Sequence, residues 1–244
     1  MDRTVHAAAA HQRAVRRVDD RVDVLDREVA FDNDDLGHGD IVGCDAVDGR
    51  DLAGPVAAAL LPHPNVRSVE LVGSRATGSP TSLSDWDFEV ETDDFASVAR
   101  ALPELVTPLA PLAQQWDRIS DYPCYMLMLA GPAKVDLIFP GEPYESLPPW
   151  TVTPDTLDGI DQHLWDWILW LASKREKGKD ELVRRELEKM SVHLLRPMGV
   201  NEVPRSIEDA VERYRSARDV RERAFGIRVT RRREREVLPV LWSG

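Results

Sequence analysis

Asp85 and Asp87 stand one residue apart in the run Ser84-Asp85-Trp86-Asp87-Phe88-Glu89-Val90. Side chains alternate along a strand, so the two carboxylates share a face and Trp86 takes the other. Like charges held this close repel, and they are seldom left without a proton or a cation. A divalent, oxygen-ligated ion such as Mg²⁺ is the usual answer. Ten residues upstream, the apolar run Val69-Glu70-Leu71-Val72 breaks at Gly73-Ser74. Glycine leaves the backbone bare enough for a phosphate to approach, and Ser74 offers it a hydroxyl. Phosphate donors and metal carboxylates are thus neighbours.

A third acid, Asp136, sits inside the apolar run Ala133-Lys134-Val135-Asp136-Leu137-Ile138-Phe139. A carboxylate there needs a partner, because burial alone would force it to keep its proton. Lys134 shares its face two residues away, so a salt bridge is one reading. Membership of the same carboxylate site is the other.

The elements that must position these residues follow from periodicity. A helix is expected over 52–61, capped by Asp51 and ended by Pro62 and Pro64. A strand follows over 66–72, a loop of small residues over 73–84 and a second strand over 85–91. The next helix is capped by Asp93 or Asp94, buries Phe95, Val98, Ala99 and Leu102 on one face, and stops at Pro103. A strand over 114–119 carries Trp116 and Asp117, read as packing plus a surface salt bridge or as an approach to the site. A hairpin pairs 124–129 with 134–139 across a turn at 130–133. The proline-rich stretch 141–154, with Glu142, Glu145 and Trp150, reads as a linker or lid.

The remainder is helical, over 156–176, 180–195 and 206–225. On the first of these helices His163, Asp166, Trp170 and Lys174 form a polar stripe separate from the apolar face. Lys174 is read either as a ligand-facing cation or as a solvated lysine lying against Trp170. The basic cluster 231–235 is read as a solvated helix end. No internal repeat is evident.

Charge is unevenly spread over the 244 residues. The net −12 divides into −6 for residues 1–52, −12 for 53–170 (17 acids, 5 bases) and +6 for 171–244 (13 acids, 19 bases). So acidic a centre argues against nucleic acid as the main ligand, since that binding draws on cationic contacts. It suits metal ions and a cationic small acceptor, or simply a solvated acidic surface. Two cysteines, Cys44 and Cys124, make no disulfide framework and fit a reducing compartment. No apolar run is long enough to cross a bilayer and no signal core is present, so a cytoplasmic protein without membrane contact is expected. Residues 1–51 read as poorly structured, or as lying outside the natural fold, with a charged helix over 13–29 and with His6, His11 and His38 solvated.

Gly73-Ser74, Asp85-Trp86-Asp87 and Asp136, in that order, resemble the signature of the nucleotidyltransferase superfamily that includes DNA polymerase beta and the antibiotic nucleotidyltransferases. The resemblance implies an α+β architecture, with a mixed-sheet nucleotidyltransferase domain over 52–150 and an α-helical domain over 151–244. It implies transfer of a nucleoside monophosphate from ATP, or another nucleoside triphosphate, to a hydroxyl of a small acceptor. Asp85 and Asp87 would hold two Mg²⁺ ions, and Asp136 would complete the second metal site and take the acceptor's proton. Gly73 and Ser74 would cradle the β- and γ-phosphates, Arg75 would neutralise pyrophosphate, and Lys174 would meet the triphosphate from the helical domain. Aminoglycosides, lincosamide-like compounds, other metabolites and protein side chains all stand open as acceptors. A non-catalytic binding partner of the antitoxin type, built on the same fold, is the alternative.

Overall fold

Five strands pair in one mixed sheet, in the order β1-β2-β5-β4-β3. The computed structural model describes residues 51–241, all within one compact unit. The expectations for 1–50, including the helix over 13–29, the three histidines and Cys44, lie outside the described residues. The strands are β1 Val66–Val72, β2 Trp86–Thr92, β3 Ala113–Trp116, β4 Cys124–Leu129 and β5 Ala133–Ile138. β2 and β5 run parallel and every other pairing is antiparallel. The α+β class expected from the sequence is the class observed.

Alternation decides the two faces of the sheet. Trp86, Phe88 and Val90 of β2, Tyr125, Leu127 and Leu129 of β4, and Val135 and Leu137 of β5 point to one side. There they bury against α1 (Ala53–Leu60) and α3 (Phe95–Leu105) through Val56, Leu60, Val98 and Leu102. Asp94 is the cap expected, its Oδ1 accepting from the Ser97 N–H at 3.0 Å, whereas Leu52 takes the cap position of α1 and Asp51, one residue outside it, accepts from the Ala53 N–H at 2.9 Å. The other face carries Asp87, Lys134, Asp136, Met126 and Met128. α4 (Leu157–Glu176) lies across part of it and shares a second apolar core with Met128 and Ala113. Among the described residues no helix is long and apolar enough to cross a membrane.

Several local expectations are corrected. Pro103 lies inside α3 and does not stop it. The missing N–H removes one bond only, and the Val106 N–H still donates to Leu102 O at 3.0 Å. β3 ends at Trp116, short of residue 119, because Asp117 Oδ1 accepts from the Ile119 N–H at 2.9 Å and turns the chain. The loop after β1 opens with one helical turn, α2 (Gly73–Ala76). The helix expected over 180–195 is α-helical as α5 (Asp180–Met190) and then widens to a π-turn over Ser191–Leu195, whose His193 carbonyl accepts from the Trp150 N–H at 3.0 Å.

The basic cluster 231–235 is solvated only in part: Arg232 and Arg235 are exposed, whereas Arg233 and Glu234 are buried. It opens α8 (Arg232–Leu241), which follows α6 (Arg196–Met198) and α7 (Ile207–Phe225). Arg233 is buried, donating to both Asp158 oxygens, to Asp161 Oδ2 at 2.9 Å and to Leu112 O at 2.8 Å. Asp161, fully buried on α4, also accepts at Oδ1 from Tyr214, Arg218 and Trp165. Arg218 in turn reaches Glu234 at 2.7 Å. This charged network ties α4, α7 and α8 together and fixes α4 over the sheet.

Candidate active site

β1 ends at Val72, which pairs with Asp87 of β2, and Asp87 in turn stands opposite Asp136 of the parallel strand β5. Adjacent strands lie about 4.8 Å apart, so the two carboxylates share one face in register. Asp85, immediately before β2, is buried at 5% exposure on that face, and Trp86 turns into the opposite core. Asp85, Asp87 and Asp136 are therefore brought together, the first two as their spacing predicts and the third as the resemblance implies.

Gly73 is forced by this arrangement. Its φ is +69°, and a Cβ added there would sit 2.5 Å from Asp87 Oδ2. Gly73→Ala is expected to cost about 1–3 kcal/mol in backbone strain and to push Asp87 off its position as well. Gly78, with φ +73° and open space around it, is the control. Gly78→Ala should cost only the strain, and a denaturant series comparing the two alanine variants isolates the clash with Asp87. Ser74 is half-buried beside Gly73, and its hydroxyl makes no hydrogen bond among the described residues.

Arg75 faces the protein. Its guanidinium donates to the Ser84 carbonyl at 2.8 and 3.0 Å and to the Asp85 carbonyl at 3.2 Å, and it lies 4.1 Å from the Trp86 ring centroid. These contacts fix the backbone that carries Asp85, a different set of partners from the pyrophosphate expected of it.

The polar stripe of α4 faces the site. Lys174 Nζ donates to Asp85 Oδ2 at 3.1 Å and lies 4.8 Å from the Trp170 centroid, so the contact with Trp170 is as read, but the lysine is paired and 18% exposed, not solvated. Glu176 accepts from the Ser82 hydroxyl at 2.6 Å and the Leu83 N–H at 3.2 Å, docking the end of α4 on the loop before Asp85. Two turns back, Asp166 reaches Lys134 Nζ at 3.0 Å, and the same ammonium contacts Asp136 Oδ1 at 2.5 Å. The Lys134–Asp136 bridge expected as one alternative thus exists inside the carboxylate site. His163 is buried and accepts at Nδ1 from Trp150 Nε1, and burial pushes its imidazole down to about 3, leaving a neutral packing residue.

Four acids, Asp85, Asp87, Asp136 and Asp166, meet two ammonium groups in contact, Lys134 and Lys174. Burial, then the charges of Asp136 and Asp85, raise the Asp87 carboxyl to about 7 despite Lys174 and Lys134. Burial likewise raises Asp136 against the pull of Lys134, and raises Asp166 to about 7. Lys134 stays charged, because Asp136 and Asp166 outweigh the burial that would lower it. Asp87 makes no ion pair among the described residues, and Asp85 Oδ1 is buried without a hydrogen bond. The site lacks positive charge.

A hard divalent cation fits that deficit. Among the described residues no three His, Cys, Asp or Glu side chains are already gathered around one point for a metal. Mg²⁺ needs only one or two protein carboxylates when phosphates and water complete its shell, and the orphaned Asp85 oxygen and unpaired Asp87 supply them.

Sequence reasoning placed Asp166 only in the polar stripe of its helix and assigned no role to Glu176 or Lys177. Lys177 is half-buried near Lys174, Asp85 and Asp87, and burial with Lys174's charge lowers its ammonium. Its signal was spacing, one turn beyond Lys174 on the same helix. Trp116 packs with Phe95, Tyr125 and Phe139 on the opposite face. Asp117 makes no surface salt bridge among the described residues; burial raises its carboxyl, and its charge acts on Lys134, Asp136 and Asp166, so of its two readings the approach to the site is the one observed. Glu142 accepts from Thr92 at the far end of β2.

No protein-family model matches the chain, and no curated protein does. Among solved structures, the GLD-2/RNP-8 complex is similar at TM-score 0.31 and 16% identity over 50% of this chain. This chain spans 38% of the length of that one. An aminoglycoside 6-adenyltransferase from Bacillus subtilis is similar at TM-score 0.27 and 12% identity, over 78% of this chain and 98% of that one. At such scores neither likeness decides what this protein does.

Proposed function

We propose that this protein is a metal-dependent nucleotidyltransferase, moving a nucleoside monophosphate, AMP from ATP foremost, to a hydroxyl of a small acceptor and releasing pyrophosphate. The observation that carries the reading is the in-register pair Asp87 and Asp136 beside Asp85, with an unpaired carboxylate and an orphaned oxygen. Asp85, Asp87 and Asp136 would hold Mg²⁺, two ions in the full complex, which supply charge neutralisation for the triphosphate and the attacking oxygen. The acceptor oxygen bonds to the α-phosphorus, its proton passes to Asp136, and the bond to the bridging oxygen breaks with its electron pair leaving on pyrophosphate. Gly73 lets phosphate approach the backbone and the Ser74 hydroxyl donates to it. Lys174 and Lys177 would meet the triphosphate from the end of α4. Arg75 holds the Asp85 segment still. The acidic charge of residues 53–170 favours a small, cationic acceptor, hydroxyl-bearing antibiotics among them, over nucleic acid.

The acid cluster sets a pH dependence. Asp87 titrates at about 7 when folded and at 3.8 in its ordinary state, so the folded protein holds the extra proton between those values. Stability from this group is present below that window and is lost as pH rises through it. A cation that replaces the proton recovers the loss. Metal binding must displace the proton at about pH 6 but not at about pH 8, so affinity for Mg²⁺ with ATP should be about tenfold weaker at the lower pH. Thermal shifts by Mg²⁺ and ATP at the two pH values measure this. A shift absent at both, at millimolar ligand, contradicts the assignment.

A further inference from the structure

Lys134 is the most deeply enclosed cation of the site, 5% exposed between a carboxylate of the sheet and one of α4. A lysine on a flexible four-carbon stem has no preferred direction of its own. Here both oxygens of Asp166 grip it, Oδ1 at 3.2 Å and Oδ2 at 3.0 Å. The remaining reach of the ammonium goes to Asp136 Oδ1 at 2.5 Å. Asp136 Oδ2 makes no hydrogen bond among the described residues, and the side chain keeps 14% exposure. Stability alone gives no reason for this triad. Apolar replacements of buried ion clusters are often neutral or stabilising.

We propose that Lys134 is a positioning residue of the site: held by Asp166, its ammonium takes Oδ1 of Asp136 and so reserves Oδ2 for the acceptor hydroxyl and the cation. α4 thereby sets the third carboxylate through two side chains, Asp166 and Lys134, although α4 itself contributes no atom to Asp136. The inference rests on the nucleotidyl-transfer reading.

The test uses the full chain with Mn²⁺ as the probe, its binding followed by electron paramagnetic resonance in the presence of α,β-methylene ATP. Asp166→Ala, which frees the lysine, should weaken Mn²⁺ binding by about 10–100-fold, as loss of an outer partner of a metal ligand does, whereas Asp166→Asn, which keeps an oxygen for Lys134, should stay within about threefold of the parent. Lys134→Met should weaken binding at least as much as Asp166→Ala. If that variant does not fold, the two Asp166 variants decide. A merely structural role predicts a lower melting temperature for Asp166→Ala with unchanged Mn²⁺ affinity, and that result, or tighter binding, overturns the proposal. A parent protein that binds neither Mn²⁺ nor nucleotide at millimolar concentration overturns the nucleotidyl-transfer reading itself, and this inference with it.

Discussion

Asp87→Asn is expected to lower pyrophosphate release on the order of a thousandfold, the effect of losing several kcal/mol of charge stabilisation at the reacting phosphate. The same substitution should leave the ligand-free protein at least as stable as its parent near neutral pH. Burial and the charges of Asp136 and Asp85 push the Asp87 carboxyl up to about 7, so its ionised form opposes folding. A neutral amide of the same shape removes that opposition. Melting curves without ligand and pyrophosphate assays with a panel of hydroxyl acceptors measure the two effects on one preparation. Loss of activity with loss of fold would mean that Asp87 holds the sheet together, and unchanged turnover would remove it from the site.

Asp161→Ala should be the most damaging substitution outside the site. The carboxylate is fully buried and accepts from Tyr214, Arg218, Trp165 and Arg233. Its removal leaves two buried guanidinium groups short of a counter-charge, which costs about 3–5 kcal/mol. For a domain of this size that lowers the melting temperature on the order of 10 °C. Arg184→Ala is the contrast, since its bridges to Glu181 and Glu188 are exposed and should contribute nothing measurable. Because Asp161 lies on α4 five residues before Asp166, Asp161→Ala should weaken metal binding as well, through loss of α4's fixed place over the sheet.

These two residues differ in how far the sequence announces them. Asp85 and Asp87 are legible because strand alternation is a local rule: a period of two puts both carboxylates on one face before any partner strand is known. Gly73 is legible as the break after an apolar run, and Asp136 only through the order of the motifs that the resemblance supplies. The strand β1 and both arms of the hairpin are legible as short apolar runs bounded by turn residues, and the cap Asp94 from local hydrogen bonding. Partnership between distant segments is a different matter. Lys134 and Asp166 lie 32 positions apart, and nothing in either segment names the other. Arg233 reads as solvated because clustered charges on a helix normally are, and only the closing of α8 on α4 brings Asp158 and Asp161 to it. Pro103 reads as a stop, yet near a helix end one missing N–H is too small a loss to decide where the helix ends.

Arg75 shows the same limit from the other side. Its place beside Gly73-Ser74 suggests a phosphate, and no local rule names the partners the fold gives it, the Ser84 and Asp85 carbonyls and the Trp86 ring. A guanidinium with five donors can serve many partners, and the fold decides which.

Equilibrium titration of the purified protein with α,β-methylene ATP, with and without Mg²⁺, tests the central claim most directly. Saturable binding that requires Mg²⁺ and is lost in Asp87→Asn is the predicted result. No binding at millimolar nucleotide, or binding indifferent to both Mg²⁺ and Asp87, would contradict it.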